Sequence, residues 1–212
     1  MVGKKAEHTG TPAKIGVLAL QGAFAKHIDV LESIGVNALE VRYPSQLSEC
    51  DGLILPGGES TTMTRHILDM KLAEPLKAYA QQAPLLGTCA GMILMAQAGI
   101  LELLDISVER NAYGRQSDSF SCNLTLSFSS APLQAIFIRA PRIANIHSSQ
   151  VQILATHAGV PVCVRQGFHL ATSFHPELAN DPRMHHYFMQ LCMQEKQLTR
   201  RSSLTKPEKS FF

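Results

Sequence analysis

The chain has 212 residues, 45% of them hydrophobic and 17% charged, which is enough for one globular domain with a sizeable core. Its formal charge of +2 comes from a basic C-terminal tail and the remainder is close to −2, so the basic isoelectric point gives no argument for nucleic-acid binding. The five cysteines include no CxxC pair, no secretory segment is visible, and no apolar stretch approaches the ~20 residues that span a bilayer; reduced thiols and a cytoplasmic, membrane-free setting are expected.

Residues 1–13 are polar and rich in Gly, Thr and Pro, and read as a loose leader before a first strand, "KIGVLAL". Phe24, Ile28, Leu31 and Ile34 then recur at helical spacing and Gly35 follows as a stop, so the pattern predicts a helix over 24–34. "VNALEVR" and "GLILP" read as strands, "ESTTMTRHILDM" and "EPLKAYAQQ" as helices, "PLLG" as a strand and "CAGMILMAQA" as a helix. Strands alternating with helices imply right-handed crossovers and a parallel sheet covered on both faces.

From about residue 104 the pattern becomes β-rich, with short strand candidates "ISVERN", "CNLTLSF", "AIFIR", "VQILATH", "PVCVRQ" and "HLATSF". These are expected to add antiparallel strands to the same core. A final helix is predicted over about 181–195, with Asn180 or Asp181 as cap and Pro182 in its first turn. The predicted organisation is one three-layer α/β domain over 14–195, with a mostly parallel central sheet, followed by a basic, frayed tail over 196–212.

Three short segments could carry chemistry. Gly87, Thr88, Cys89, Ala90 and Gly91 form a G-x-nucleophile-x-G pattern between a strand and a helix, the context in which a nucleophile is held at a strained turn. The helix that follows favours negative charge at its N-terminus, and its free N–H groups can face a developing oxyanion. Cys89 could equally be a small buried residue, because free cysteine is among the most buried types.

"SFHPE" offers His175 as a base and Glu177 as its orienter, on the same side of an extended segment with Pro176 fixing the backbone between them. A plain polar turn is the alternative. "LPGGES" breaks a buried strand into two glycines, so that Gly58 can present an unhindered N–H to an anion, while Glu59 and Ser60 could simply cap the next helix. It lacks the Lys of a phosphate loop. Arg110 and Arg139 stand at strand ends, within reach of a substrate carboxylate or of a structural ion pair. His185 and His186 are adjacent, so their side chains diverge; they read as helix-surface residues, and no metal site is expected.

The order PGGES, GTCAG, SFHPE resembles the class I, or triad, glutamine amidotransferases. More closely, "GVLALQGAFAKHI", "DGLILPGGESTTM", "GTCAGMIL", "VERNAYGRQ", "FIRAP" and "SFHPEL" are similar to the glutaminase subunits of pyridoxal 5′-phosphate synthase, over about residues 14–195. The resemblance implies a flavodoxin-like glutaminase fold and hydrolysis of L-glutamine by Cys89, His175 and Glu177. It implies oxyanion donors at Gly58 and Ala90, and glutamine contacts from Gly58, Glu59, Ser60, Arg110, Ile138 and Arg139. No cofactor is implied, and the ammonia would pass to a partner synthase subunit that docks around Gln21, Gly22 and His27 and completes the oxyanion hole. A stand-alone thiol hydrolase and a non-catalytic member of the same superfamily are the alternatives. The connection "AGILELL" over 98–104 is shorter than is usual in the family.

Overall fold

The computed structural model describes residues 13–110 and 119–204. In its first half the chain runs β1 (Lys14–Leu18), α1 (Phe24–Ser33), β2 (Asn37–Val41), β3 (Gly52–Leu55), α2 (Ser60–Asp69), α3 (Ala73–Ala80), β4 (Leu85–Thr88) and α4 (Ala90–Met95). It continues through β5 (Ile106–Glu109), β6 (Phe120–Leu124), β7 (Leu133–Phe137), β8 (Arg142–Ile146), β9 (Val151–His157), β10 (Val160–Gln166), β11 (His169–Thr172) and α5 (Arg183–Leu204).

Seven strands form the central sheet in the order β2-β1-β3-β4-β11-β10-β9. The first five are mutually parallel, while β10 runs antiparallel to both β11 and β9. The three-layer α/β architecture with a mixed sheet is thus the one expected. Successive strand residues point to opposite faces, and the core divides accordingly. Leu53, Leu55 and Leu85 join Met63, Ile67, Leu76 and Met92 on one face; Ile15, Val17, Ile54 and Leu86 join Leu31, Phe188 and Leu191 on the other. Burial from both sides explains why "LIL" and "LL" read as continuous apolar runs.

The structure differs from expectation in three places. Only β9, β10 and β11 extend the central sheet; β5 pairs with β8 and β6 with β7 as separate antiparallel ladders. Strand β8 lies in a segment with no strand signal, because Arg142 and the Asn145 position interrupt its apolar residues and only Ile143 is buried. A 3-10 turn at Pro44–Glu49 was likewise not anticipated.

The last helix does begin behind Asp181, whose Oδ1 accepts the Arg183 backbone N–H at 3.0 Å. It runs past the predicted stop at 195 to Leu204, and Lys196, placed in the tail by the sequence pattern, bonds Asp51 at 2.7 Å. The short 98–104 connection folds back on α4: Leu101 N–H bonds the Leu94 carbonyl at 2.9 Å and Leu103 N–H bonds the Met95 carbonyl at 2.8 Å. Residues 1–12, 111–118 and 205–212 lie outside the described residues, so most of the predicted leader, the "NAYGRQ" motif and the end of the tail are not placed. Among the described residues, no helix is long and apolar enough to cross a membrane.

Candidate active site

Strands β1, β3, β4 and β11 are adjacent and parallel, so their carboxyl ends open on one edge of the sheet. This edge is where open α/β sheets place their ligands. Here β3 leads to Gly57–Ser60, β4 to Cys89, β11 to His175 and β1 to Gln21.

Cys89 occupies a backbone conformation that side chains avoid, φ 49° and ψ −103°. Its N–H bonds the Thr172 carbonyl at 2.8 Å, and α4 starts at the next residue. The sharp turn requires a residue without a side chain at 91, because a Cβ there would strike the Leu55 carbonyl oxygen. Strain of this kind persists only where surrounding contacts over-determine it, and such positions concentrate at functional sites. Arg139, facing the same space, also has positive φ, 45°.

His175 Nδ1 lies 2.7 Å from Glu177 Oε1, and Cys89, whose Sγ donates to the Ile138 carbonyl at 3.9 Å, lines the same pocket as the ring. The backbone reaches this geometry by a different route from the one expected. Pro176–Leu178 is a 3-10 turn, not an extended segment, and Glu177 folds back onto the imidazole that precedes it. Burial works against protonation of His175, but the neighbouring Cys89 and Glu177 favour the charged ring, outweigh it and raise the imidazole pKa to about 10. Burial also opposes ionisation of Glu177, yet the neighbouring His27 and the bond to His175 leave its pKa below the ordinary value. The carboxylate is therefore anionic and the imidazole favours the protonated form, as a thiol-to-imidazole proton transfer requires.

A pocket of about 180 Å³ lies over Cys89 and His175, lined by Gly58, Glu59, Ser60, Ala90, Arg110, Ile138 and Arg139. It is smaller than the roughly 300–1,000 Å³ typical of drug-sized ligands and suits a small polar molecule. At its mouth Arg139 pairs with Glu59 at 2.6 Å, and Arg110 donates to Thr61 Oγ1 at 3.2 Å. Ala90 opens α4, and at this first position its N–H has no intrahelical acceptor, whereas the Met92 N–H already bonds the Cys89 carbonyl at 3.1 Å. Gln21 Oε1 accepts the Glu59 N–H at 2.9 Å and Ala23 N–H bonds the Gly57 carbonyl at 2.9 Å, so the loop after β1 is stitched to the loop that carries Gly58.

The glutamine-contact and oxyanion candidates named from the sequence therefore come together around one pocket, with Glu177 behind His175. Thr61 and Ile93 also line it and were missed. Two placements need correction. His27, expected on the docking surface with Gln21 and Gly22, is fully buried, and His185, expected on a helix surface, is fully buried beside it. The signal was present in the spacing: His27 is four residues from Leu31 on the inner stripe of α1, and His185 is three from Phe188 on that of α5.

Residues 17–194 match the SNO glutamine amidotransferase family. The chain is 49% identical over 185 residues to the pyridoxal 5′-phosphate synthase subunit PdxT of Shouchella clausii, covering 84% of this chain and 94% of that protein. It is 47% identical over 190 residues to the subunit of the same name from Bacillus cereus, covering 86% and 96%. A crystal structure of a glutamine amidotransferase superposes with a TM-score of 0.79 at 40% identity, over 84% of this chain and 98% of the other. A putative GMP synthase protein from Thermoplasma acidophilum shares the fold with a TM-score of 0.68 at 20% identity, over 90% and 99%.

Proposed function

The chain belongs to the SNO glutamine amidotransferase family, and from that premise we propose that it hydrolyses L-glutamine and delivers the ammonia to a pyridoxal 5′-phosphate synthase subunit. The observation that carries the reading is the line Cys89, His175, Glu177 ending in a pocket whose mouth pairs one cation with one anion. An amino acid presents the complementary pair: its α-carboxylate suits Arg139 and Arg110, and its α-ammonium suits Glu59. With both ends held at the mouth, the side-chain amide extends toward Cys89.

In this mechanism the Cys89 proton passes to His175, which favours the protonated form, and the thiolate sulfur attacks the amide carbon. The oxyanion formed is met by the backbone N–H groups of Gly58 and Ala90. Collapse breaks the C–N bond, His175 returns the proton to the departing nitrogen, and ammonia leaves a thioester on Cys89. Water, deprotonated by His175, then attacks the thioester carbon and releases glutamate, and the proton returns to the thiol. Glu177 stays ionised throughout and holds the imidazole in the required tautomer. The exposed part of the β1 loop, Gln21 and Gly22, is the docking position on this reading; contact there reaches Gly58 through the Gln21–Glu59 and Ala23–Gly57 bonds.

The test is ammonia release from glutamine, measured with and without the partner synthase. The expected result is activity that rises on adding the synthase and is lost in Cys89→Ala, with the complex still forming. Hydrolysis persisting in Cys89→Ala overturns the reading.

A further inference from the structure

Behind Glu177, on the side away from the pocket, lie two buried histidines that this chemistry leaves unused. His27 Nδ1 is 2.9 Å from His185 Nε2. The other nitrogen of His27, Nε2, is 3.2 Å from Thr88 Oγ1 and 3.3 Å from Glu177 Oε2. Glu177 gives Oε1 to His175, whereas Oε2 is buried without a well-aligned hydrogen bond, so the His27 ring stands opposite an underserved carboxylate oxygen. Elements α1, α5, β4 and the 3-10 turn after β11 thus meet at one side chain. The titratable groups facing His27 are Glu177, His175 and His185.

The proton order in this chain can be deduced. Burial lowers His27 to about 4 and His185 to about 3, so both rings are neutral near pH 7 and one proton lies between them. If His27 donated from Nδ1, its bare Nε2 lone pair would face the Glu177 carboxylate, and the remaining proton of His185 would sit on Nδ1, which is buried without a partner. With the opposite order both penalties disappear. His185 Nε2–H donates to His27 Nδ1, and His27 Nε2–H points to Thr88 and the carboxylate; the unpartnered atom is then only an acceptor.

We propose that His27 is a positioning residue of the triad: its Nε2–H, kept on that nitrogen by the hydrogen bond from His185, faces Glu177 Oε2 and fixes the carboxylate against His175. Glu177 is held at both oxygens, one by the imidazole it orients and one by a ring that does not touch substrate. The inference rests on the reading of Cys89, His175 and Glu177 as the catalytic line. It gives His27 a role inside the fold, where its side chain is fully buried.

The test compares His27→Leu, which removes the N–H at similar size, with His27→Gln, whose amide nitrogen can replace Nε2. The readout is the pH dependence of Cys89 alkylation by iodoacetamide, resolved peptide by peptide by mass spectrometry because other cysteines are present. In His27→Leu the loosened carboxylate supports the thiolate–imidazolium pair less well, and the alkylation midpoint rises by about one pH unit. In His27→Gln it returns most of the way to the wild-type value. With the partner synthase, kcat of His27→Leu falls about 10-fold while KM for glutamine changes less than about 2-fold.

A folded His27→Leu with an unmoved alkylation midpoint overturns the proposal, since a purely structural role lowers thermal stability and leaves that profile alone. If His27→Leu does not fold, His185→Leu serves instead: it frees His27 to change tautomer and shifts the midpoint in the same direction, and an unmoved midpoint there is equally decisive. Alkylation needs neither glutamine nor partner. A shifted midpoint in His27→Leu together with a wild type that releases no ammonia therefore overturns the functional reading and leaves the positioning role standing.

Discussion

Glu59 Oε1 and the Arg139 guanidinium meet at 2.6 Å across the mouth of the pocket, joining the loop after β3 to the segment after β7. Both side chains are about half exposed, so the pair contributes little to stability. On the proposed reading its effect is on binding: a bound amino acid would exchange one ion pair for two. Glu59→Gln is expected to raise KM for glutamine about 10-fold, with a smaller loss in kcat, because the contact is lost in ground and transition states alike. Steady-state kinetics with the partner synthase checks this. A loss confined to kcat would place Glu59 elsewhere in the mechanism.

Gly91→Ala tests the elbow. The added methyl would meet the Leu55 carbonyl oxygen, which belongs to the sheet and cannot move aside. The substitution is expected to destabilise the fold by about 1–3 kcal/mol, typical of overpacking, and to displace Cys89 enough to remove hydrolysis. Denaturant unfolding and ammonia release measure the two effects. Retention of both would mean that α4 can slide away from β3.

Stability is expected to fall on acidification before the carboxylates titrate. Burial lowers His27 and His169 to about 4 and His185 to about 3, whereas in the unfolded chain all three return to about 6.5. Between these limits the unfolded state binds more protons, so stability declines as pH drops from about 6.5 toward 4. His175 has the opposite sign: its raised pKa adds stability that is complete below 6.5 and fades as pH rises through about 10. Calorimetric Tm measured from pH 8 to pH 4 should show the decline, and His185→Leu should flatten it. A Tm that is level down to pH 4.5 refutes it.

The bond from Lys196 to Asp51, 2.7 Å and partly buried, anchors α5 to the start of β3, and Asp51 also accepts the Lys14 backbone N–H at 3.0 Å. Lys196→Ala is expected to cost about 1 kcal/mol, which lowers Tm by about 2–4 °C for a chain of this size. The loss should shrink at high salt, where the charge component is screened. An unchanged Tm in low salt would show that the helix needs no such anchor.

The parts of this molecule that were legible in its sequence are those where one short segment dictates its own geometry. The turn at Cys89 was readable because small residues on either side of it fit a sharp strand-to-helix junction, and the GGES loop because two glycines end a buried strand. Strand β8 was not, since its pairing with β5 supplies what Arg142 and Asn145 withhold. The inward histidines were misread for a related reason. A ring on an apolar stripe is chosen by what lies opposite, and for His27 that is Glu177, 150 positions along the chain. Local pattern also gave the right partner for His175 by the wrong path, a turn in place of an extended strand.

The two sides of the pocket are anchored very differently. Cys89, Gly58 and His175 spring from neighbouring strands of a seven-stranded sheet, whereas Ile138 and Arg139 hang from the end of a two-stranded ladder, joined to that sheet by bonds such as His175 N–H to the Ile136 carbonyl at 2.8 Å and Ser127 N–H to the Leu154 carbonyl at 2.8 Å. The floor of the site is built on the large sheet and its wall on a separate ladder, packed against that sheet through Leu124, Leu133, Ala135 and Phe137. On the proposed reading the residues that would hold the substrate and those that would break its bond are thus carried by different sheets. Strand β7 reaches both sides of the site: Ile136 accepts the His175 N–H at 2.8 Å, and Ile138, just past its end, accepts from Cys89 Sγ at 3.9 Å.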